Sequence, residues 1–290
     1  MSKPCTALLL DIRNFTPNLK ACSEPESEPE VKKLFLKYIS KAFYECFKII
    51  NRVAKHKGKK VYVNSTGDGF VAVFFSDRHY IEAFLSGLLI HNSMRNIFNN
   101  DNTELKEIRK RFKGKKPEVL DFGIGIDSGT ADKIRFVEKH YAHLSGFGWS
   151  FIGDVINSAA RVESSTKDMD SSRMIVTQNT NQFLCTNLCV DKNGKAVDYN
   201  SLIKESKPSS HLRYKYQNQM NIYNYILCIQ FTHNRKMKGI ETPVALYRIS
   251  ESLAKPERTE FISLVEKLES ILKKERYEKY SIEDYVEDAV

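Results

Sequence analysis

The sequence predicts an α/β or α+β fold, a sheet covered by helices. Short apolar runs of strand length, such as Thr6–Asp11 and Phe70–Phe75, alternate with segments whose apolar residues recur at helical spacing. The chain has 290 residues, 41% of them hydrophobic, which is enough to bury a sizeable core. No apolar run approaches the roughly 20 residues of a membrane helix. The composition also excludes collagen, coiled-coil rods and wholesale disorder.

The elements follow in order. Thr6–Asp11 stops at an acid and reads as a buried strand. Ser23–Glu30 is acidic, carries Pro25 and Pro29, and reads as a loop. Leu34, Phe35, Tyr38, Ile39, Ala42, Phe43, Cys46, Phe47 and Ile50 set a helical period over Val31–Val53, and Gly58 ends it. Lys60–Asn64 and Phe70–Phe75 are strands, and Ser65–Gly69 turns tightly between them. Arg78–Phe98 is a second helix, broken at Asn99–Asp101. Val119–Ile126 alternates into a strand that Asp127-Ser128-Gly129 ends, and the glycine-rich Ser145–Trp149 is a loop. Asp154–Ser164 is a helix whose Ala159 and Ala160 permit close packing. Arg173–Val176 is a strand and Thr177–Leu188 a helix. Asp191–Ser210 is polar and turn-rich, Leu212–Phe231 holds a tyrosine-rich strand pattern, and Thr242–Ile249 is the last strand. Phe261–Glu278 is amphipathic and reads as a helix capping the core.

Charge and cysteines narrow the function classes. The net charge of +9 favours anionic partners such as nucleotides and phosphates. Much of the excess lies in Lys55–Lys60 and Lys106–Lys116, where Phe112 is the one interleaved aromatic, so no nucleic-acid groove is expected. The six cysteines form no CxxC pair, and Ala7–Leu10 is too short for a signal-peptide core. Reduced thiols in a cytoplasmic protein with no membrane partner are the expectation.

Two aspartates stand at strand ends, Asp11 after Leu8-Leu9-Leu10 and Asp68 in the hairpin turn. If the two strands are neighbours, both carboxylates meet at one sheet edge, where they repel unless a cation lies between them. Such hard oxygen ligands suit Mg²⁺ or Mn²⁺ held with a polyphosphate. Asp-Gly in a hairpin also satisfies the sterics of a type I′ turn without any metal.

Five blocks then recur in a familiar order. They are Leu10-Asp11-Ile12-Arg13-Asn14-Phe15-Thr16, Asn64-Ser65-Thr66-Gly67-Asp68-Gly69-Phe70, Phe122-Gly123-Ile124-Gly125-Ile126-Asp127-Ser128-Gly129, Gly153-Asp154-Val155-Ile156-Asn157-Ser158-Ala159-Ala160-Arg161-Val162-Glu163, and Lys238-Gly239-Ile240-Glu241-Thr242-Pro243-Val244-Ala245-Leu246-Tyr247. Together they resemble the class III nucleotidyl cyclases. The resemblance implies an α+β sandwich with a ferredoxin-like βαββαβ core and extra C-terminal strands and helix. Residues 1–250 would be the catalytic domain, with an insertion at about 191–231, and residues 251–290 a helical tail. It further implies a homodimer whose sites lie at the subunit interface, with a nucleoside triphosphate as substrate. Two Mg²⁺ or Mn²⁺ ions per site would be held by Asp11, Asp68 and the Ile12 carbonyl. Phe15 and Thr16 would hold phosphates through backbone amides. From the other subunit, Asn157 would orient the ribose, Arg161 stabilise the pentavalent phosphate, and Lys238 bind the triphosphate. No covalent nucleophile is required.

Departures from the family bear on the base. Where adenylate cyclases carry lysine and guanylate cyclases glutamate, this chain has Asn64; at the second base-reading position it has Ser150. Ser150 alone suits a bacterial adenylate cyclase. Asn64 suits neither purine pattern, but an amide both donates and accepts and can read uracil or cytosine. With no sensor domain seen, the chain resembles the stand-alone pyrimidine cyclases of antiphage defence, which make cyclic UMP or cyclic CMP for a separate effector. Phe15 cuts the other way, since some of those enzymes lack this aromatic. Thr130 stands where some members place a phosphate-binding arginine, with Arg135 or Lys133 as substitutes. An adenylate cyclase, an inactive nucleotide-binding relative and a palm-like polymerase are the competing readings.

Overall fold

Alternation along the first strand fixes the layers. In β1 (Lys3–Arg13), Leu8, Leu10 and Ile12 enter the main hydrophobic core, while Cys5 and Ala7 join a smaller cluster on the opposite face. The computed structural model describes residues 2–54, 61–99, 101–112, 117–134, 150–168, 173–197, 210–217, 219–237, 242–252 and 255–278. After β1 come α1 (Phe15–Ala21), α2 (Val31–Val53), β2 (Val61–Ser65), β3 (Gly69–Phe74), α3 (His79–Ile97), α4 (Thr103–Lys110) and β4 (Asp121–Ile134). The second half holds β5 (Ser150–Ile152), α5 (Asp154–Ser165), a 3-10 turn (Thr166–Asp168), β6 (Met174–Thr177) and α6 (Gln178–Leu188). It continues with α7 (Ser210–Lys215), α8 (Met220–Cys228), β7 (Ile229–Arg235), β8 (Val244–Ile249) and α9 (Thr259–Glu278).

The sheet runs β2-β3-β1-β4-β6-β8-β7, and β5 pairs with the far end of β4. β1, β2, β3 and β4 pair antiparallel with one another, giving the expected βαββαβ core. β6 adds in parallel to β4, and β8 and β7 extend the sheet antiparallel. The α+β architecture with extra C-terminal strands is therefore the one observed. Helices α2 and α3 fill one side of the sheet with Phe35, Tyr38, Phe84 and Leu88. Phe261, Leu264, Leu268 and Leu272 of α9 are buried in that same core. All six cysteines are buried, and no disulfide joins any of them.

Helix α5 covers the other face, and glycine lets it come close. Gly123, Gly125 and Gly129 lie on the side of β4 that faces it. A Cβ on Gly125 would run into the Ala159 carbonyl and the Glu163 amide, and one on Gly123 into the Glu163 carboxyl. Val155 and Ala159 complete the seal against Ala7 and Val71.

Several elements differ from the sequence expectation. β4 does not stop at Asp127-Ser128-Gly129, because β1 pairs with it continuously from Asp121 to Ala131. A long partner outweighs local turn propensity. Leu212–Phe231 is mainly helical rather than a strand: α7 and α8 precede β7. Ile222, Tyr223, Asn224, Tyr225, Ile226 and Leu227 are buried in succession, and burial on every side carries no period that separates helix from strand. The short elements α1 and β5 carry too few residues to show a period at all. The hairpin turn closes with Thr66 N donating to Gly69 O at 3.0 Å. Its positive φ, 101°, falls on Gly67, the first central position, which is the II′ rather than the I′ pattern. The loop expected at Ser145–Trp149 lies outside the described residues.

A buried ion cluster ties the end of the sheet to α3. Glu251 lies 2.8 Å from His91 Nε2, accepts from Arg173 N at 3.0 Å and from Arg173 Nη1 at 3.3 Å, and stands 3.4 Å from Arg95. Burial alone would raise its carboxyl, but the His91 and Arg173 contacts hold it down at about 2.

Gly125→Ala tests the close approach of α5. We expect a loss of about 1–3 kcal/mol of stability, as for other overpacked cores, read as a lower Tm. An unchanged Tm would show that α5 can retreat freely.

Candidate active site

The end of β1 is where the sheet delivers its carboxylate. Asp11 continues the alternation of Ala7 and Leu9, so its side chain stands on the α5 face of the sheet. It pairs in register with Gly69 of β3 and Gly123 of β4. Gly69 is obligatory there, since a Cβ would strike the Leu10 carbonyl and lie 3.1 Å from Asp11 Cα. The hairpin thus brings Asp68 against the strand end, and Ile12 N donates to the Asp68 carbonyl at 3.0 Å.

A recess of ≈ 600 Å³ opens here, lined by Asp11, Ile12, Phe15, Thr16, Asp68 and Lys167 among others. Five of the residues singled out from the sequence share it. Burial raises the Asp11 carboxyl first, the neighbouring Asp68 raises it further, and Lys167 pulls it back. Lys167 Nζ stands 3.7 Å from Asp11 Oδ2. Asn14 enters α1 with φ 62°, and the Phe15 ring stacks on Phe35 at 5.8 Å, so Phe15 is anchored by the core while Thr16 is exposed.

Beneath the recess lies Glu163, 2% exposed, on the buried face of α5. Its Oε1 has no hydrogen-bond partner among the described residues. Burial, then the charge of Asp11, lifts its carboxyl to about 7, against the pull of Lys167 and Arg13. Arg13 donates to the Thr166 hydroxyl and lies 3.5 Å from Asp121, which also accepts from Arg173 Nε at 2.5 Å.

Asn157 and Arg161 face away from this recess. They are four apart on the outward side of α5, Asn157 exposed and Arg161 half-buried. Arg161 lines a separate recess of ≈ 300 Å³ with Ala160, Ser164, Ser165, Arg235, Lys236 and Met237. Arg235 is held by Asp168 at 2.7 Å. Asn64 is exposed on the edge strand β2, paired with Val71. Ser150 opens β5 opposite Ile134. Asn64 does not line the recess that holds the aspartates. Lys238 and Arg135 lie outside the described residues, and Lys133 Nζ sits 5.5 Å over the Tyr62 ring.

Sequence reasoning missed Lys167, Arg13, Arg235 and any role for Glu163. Lys167 lies just beyond the end of α5, in the 3-10 turn Thr166–Asp168, and only the packing of α5 on the glycine side of β4 brings it to Asp11. Arg235 and Lys236 precede the expected Lys238 and bring cations to Arg161.

Among the described residues, no group of three or more His, Cys, Asp or Glu side chains is placed to hold a metal. Two carboxylates in mutual contact nevertheless fit a Mg²⁺-type ion. Such an ion keeps several waters and takes one or two carboxylates plus substrate phosphates rather than a full protein cage.

No protein-family model and no curated protein matches this chain. Solved structures do. A bacterial light-regulated adenylyl cyclase aligns at TM-score 0.50 and 15% identity, over 94% of this chain and 57% of that one. The fold is that of the class III nucleotidyl cyclase catalytic domain. The adenylyl cyclase CyaB from P. aeruginosa aligns at TM-score 0.49 and 16% identity, over 86% and 94% of the two chains. The guanylate cyclase domain of RhGC from Catenaria anguillulae, in complex with GTP, aligns at 0.47 and 18%, over 86% and 96%. Within this cyclase fold, the two aspartates sit at adjoining strand ends and Arg161 on the helix behind them.

The raised Glu163 carboxyl makes a pH prediction. A folded value near 7 against an ordinary 4.5 means the folded state binds the extra proton. That contribution is whole below about pH 4.5 and is lost as pH rises through about 7. In metal-free buffer, Glu163→Gln should flatten the fall in Tm across this window. A variant profile parallel to that of the parent would remove Glu163 as its source.

Proposed function

We propose that the protein is a nucleotidyl cyclase, converting a nucleoside triphosphate to a 3′,5′-cyclic nucleotide and pyrophosphate. One observation carries the reading. The chain presents two complementary half-sites, Asp11 and Asp68 in one recess and Arg161 beside Asn157 over another, and within one chain they face apart. A second copy in head-to-tail register unites them, so the active form is a homodimer with shared sites.

Each residue then has a task. Asp11, Asp68 and the Ile12 carbonyl would hold two Mg²⁺ or Mn²⁺ ions, which when bound lower the pKa of the ribose 3′-hydroxyl and neutralise phosphate charge. Phe15 and Thr16 amides would orient the phosphates. The partner's α5 would set the ribose through its asparagine and place a guanidinium against oxygens that gain charge in the transition state. Arg235 and Lys236, beside Arg161, join Lys238 as cations for the triphosphate. In-line geometry follows from holding ribose and phosphates from opposite subunits.

For the base, the amide of Asn64 favours a pyrimidine, with cyclic UMP or cyclic CMP as product. Such a product would act as a second messenger on a separate effector, as in the antiphage cyclases the sequence resembles. Ser150 favours adenine instead and supports adenylate cyclase as the second reading.

Incubation with ATP, GTP, CTP and UTP in turn, with Mn²⁺ and mass identification of products, decides between them. A cyclic pyrimidine nucleotide is expected; cyclic AMP would select the second reading, and no cyclic product from any substrate would reject the cyclase. Asp68→Ala should abolish turnover without unfolding the protein, as circular dichroism would report. Arg161→Ala should lower kcat by about 10²–10³, as loss of a transition-state donor does. Mixing the two inactive variants should restore activity, since a heterodimer holds one intact site. A mixture as inactive as its parts would exclude sharing across an interface.

A further inference from the structure

The residue that pairs with the metal-site carboxylate belongs to no motif quoted above. Lys167 lies beyond the end of α5, in the 3-10 turn Thr166–Asp168. The turn itself is pinned. Thr166 donates its hydroxyl to the Glu163 carbonyl at 2.7 Å and accepts from Arg13, and Asp168 binds Arg235 at 2.7 Å. The Lys167 side chain is not pinned. It is 51% exposed and, among the described residues, makes one ion pair, 3.7 Å from Asp11 Oδ2, with its ammonium in the recess that also holds Asp68, Phe15 and Thr16.

We propose that Lys167 is a substrate-phosphate ligand that serves, until substrate arrives, as the counter-cation of Asp11. This rests on the cyclase reading above. Asp11 and Glu163 both feel the ammonium, Asp68 lines the same recess, and Arg13 is the other cation acting on Glu163. An ammonium against two carboxylates screens their repulsion in the way a divalent ion would. With such an ion held by Asp11 and Asp68, the ammonium would be repelled and the lysine would leave Asp11. Its four-carbon stem is flexible and its backbone fixed, so the ammonium stays within the recess. The polyphosphate that arrives with the metal is then the anion within reach. Lys167 thus makes contact in both states, with Asp11 before substrate and with phosphate oxygens after it.

The two contacts give opposite signs on substitution, which separates this role from a structural one. Lys167→Met should bind Mn²⁺ more tightly in the absence of nucleotide, by about two- to fivefold, because a half-exposed ion pair no longer competes. The same variant should raise KM for the Mn²⁺–nucleotide roughly tenfold, the effect of losing one charge-assisted hydrogen bond, with a smaller change in kcat. Lys167→Arg should stay near the parent in both. Mn²⁺ binding is read directly by electron paramagnetic resonance or calorimetry on the full chain, and KM with the triphosphate that the product survey selects. Unchanged Mn²⁺ affinity or unchanged KM in Lys167→Met overturns the proposal. Asp68→Asn separates the two levels. If it abolishes Mn²⁺ binding while Lys167→Met is silent, the metal site stands and the role of Lys167 falls. If the parent itself binds no Mn²⁺, both fall.

Discussion

The distance between α5 and β4 governs the rest of the molecule. It is short because Gly123 and Gly125 offer no side chain where the helix crosses. That contact sets the depth of Glu163 and carries the Thr166–Asp168 turn under the end of β1. The same contact leaves Asn157 and Arg161 facing outward, since a helix with one side pressed on glycine presents the opposite side to whatever lies beyond. A bulkier strand would raise the helix and disturb both recesses together.

Charge is organised around that geometry. Three carboxyl groups, Asp11, Asp68 and Glu163, gather where β1 ends, and burial disfavours the ionisation of Asp11 and Glu163. The cations nearest them, Lys167 and Arg13, come from the turn below and from the strand itself. On the outward side Arg161, Arg235 and Lys236 assemble with Asp168 as the acid that holds Arg235. One recess is thus anionic and the other cationic. A metal–triphosphate carries both signs and needs both kinds of surface.

Much of this was legible in the residue order. The strand ending in Asp11, the hairpin holding Asp68 and the helix bearing Asn157 and Arg161 were each expected within a few residues of where they lie. The motifs are local, and local patterns survive translation into structure. What escaped notice depends on long-range packing. The persistence of β4 through Asp127-Ser128-Gly129 is dictated by β1, more than a hundred residues earlier in the chain. Helix α8 is buried nearly all round and so shows no period, and α7 is too short to set one. The position of Lys167 under Asp11 follows from the helix–strand distance, which no spacing encodes. Asn64 lies on the edge strand β2 and Ser150 on β5, which pairs with the far end of β4 from Asp11, so no local pattern relates the two.

The Thr166–Asp168 turn has one neighbour in each recess. Its lysine reaches Asp11 and its aspartate grips Arg235, so three residues on a pinned backbone supply a contact toward either recess. In the proposed dimer those recesses would belong to different catalytic centres, and one short turn would then furnish a side chain to each.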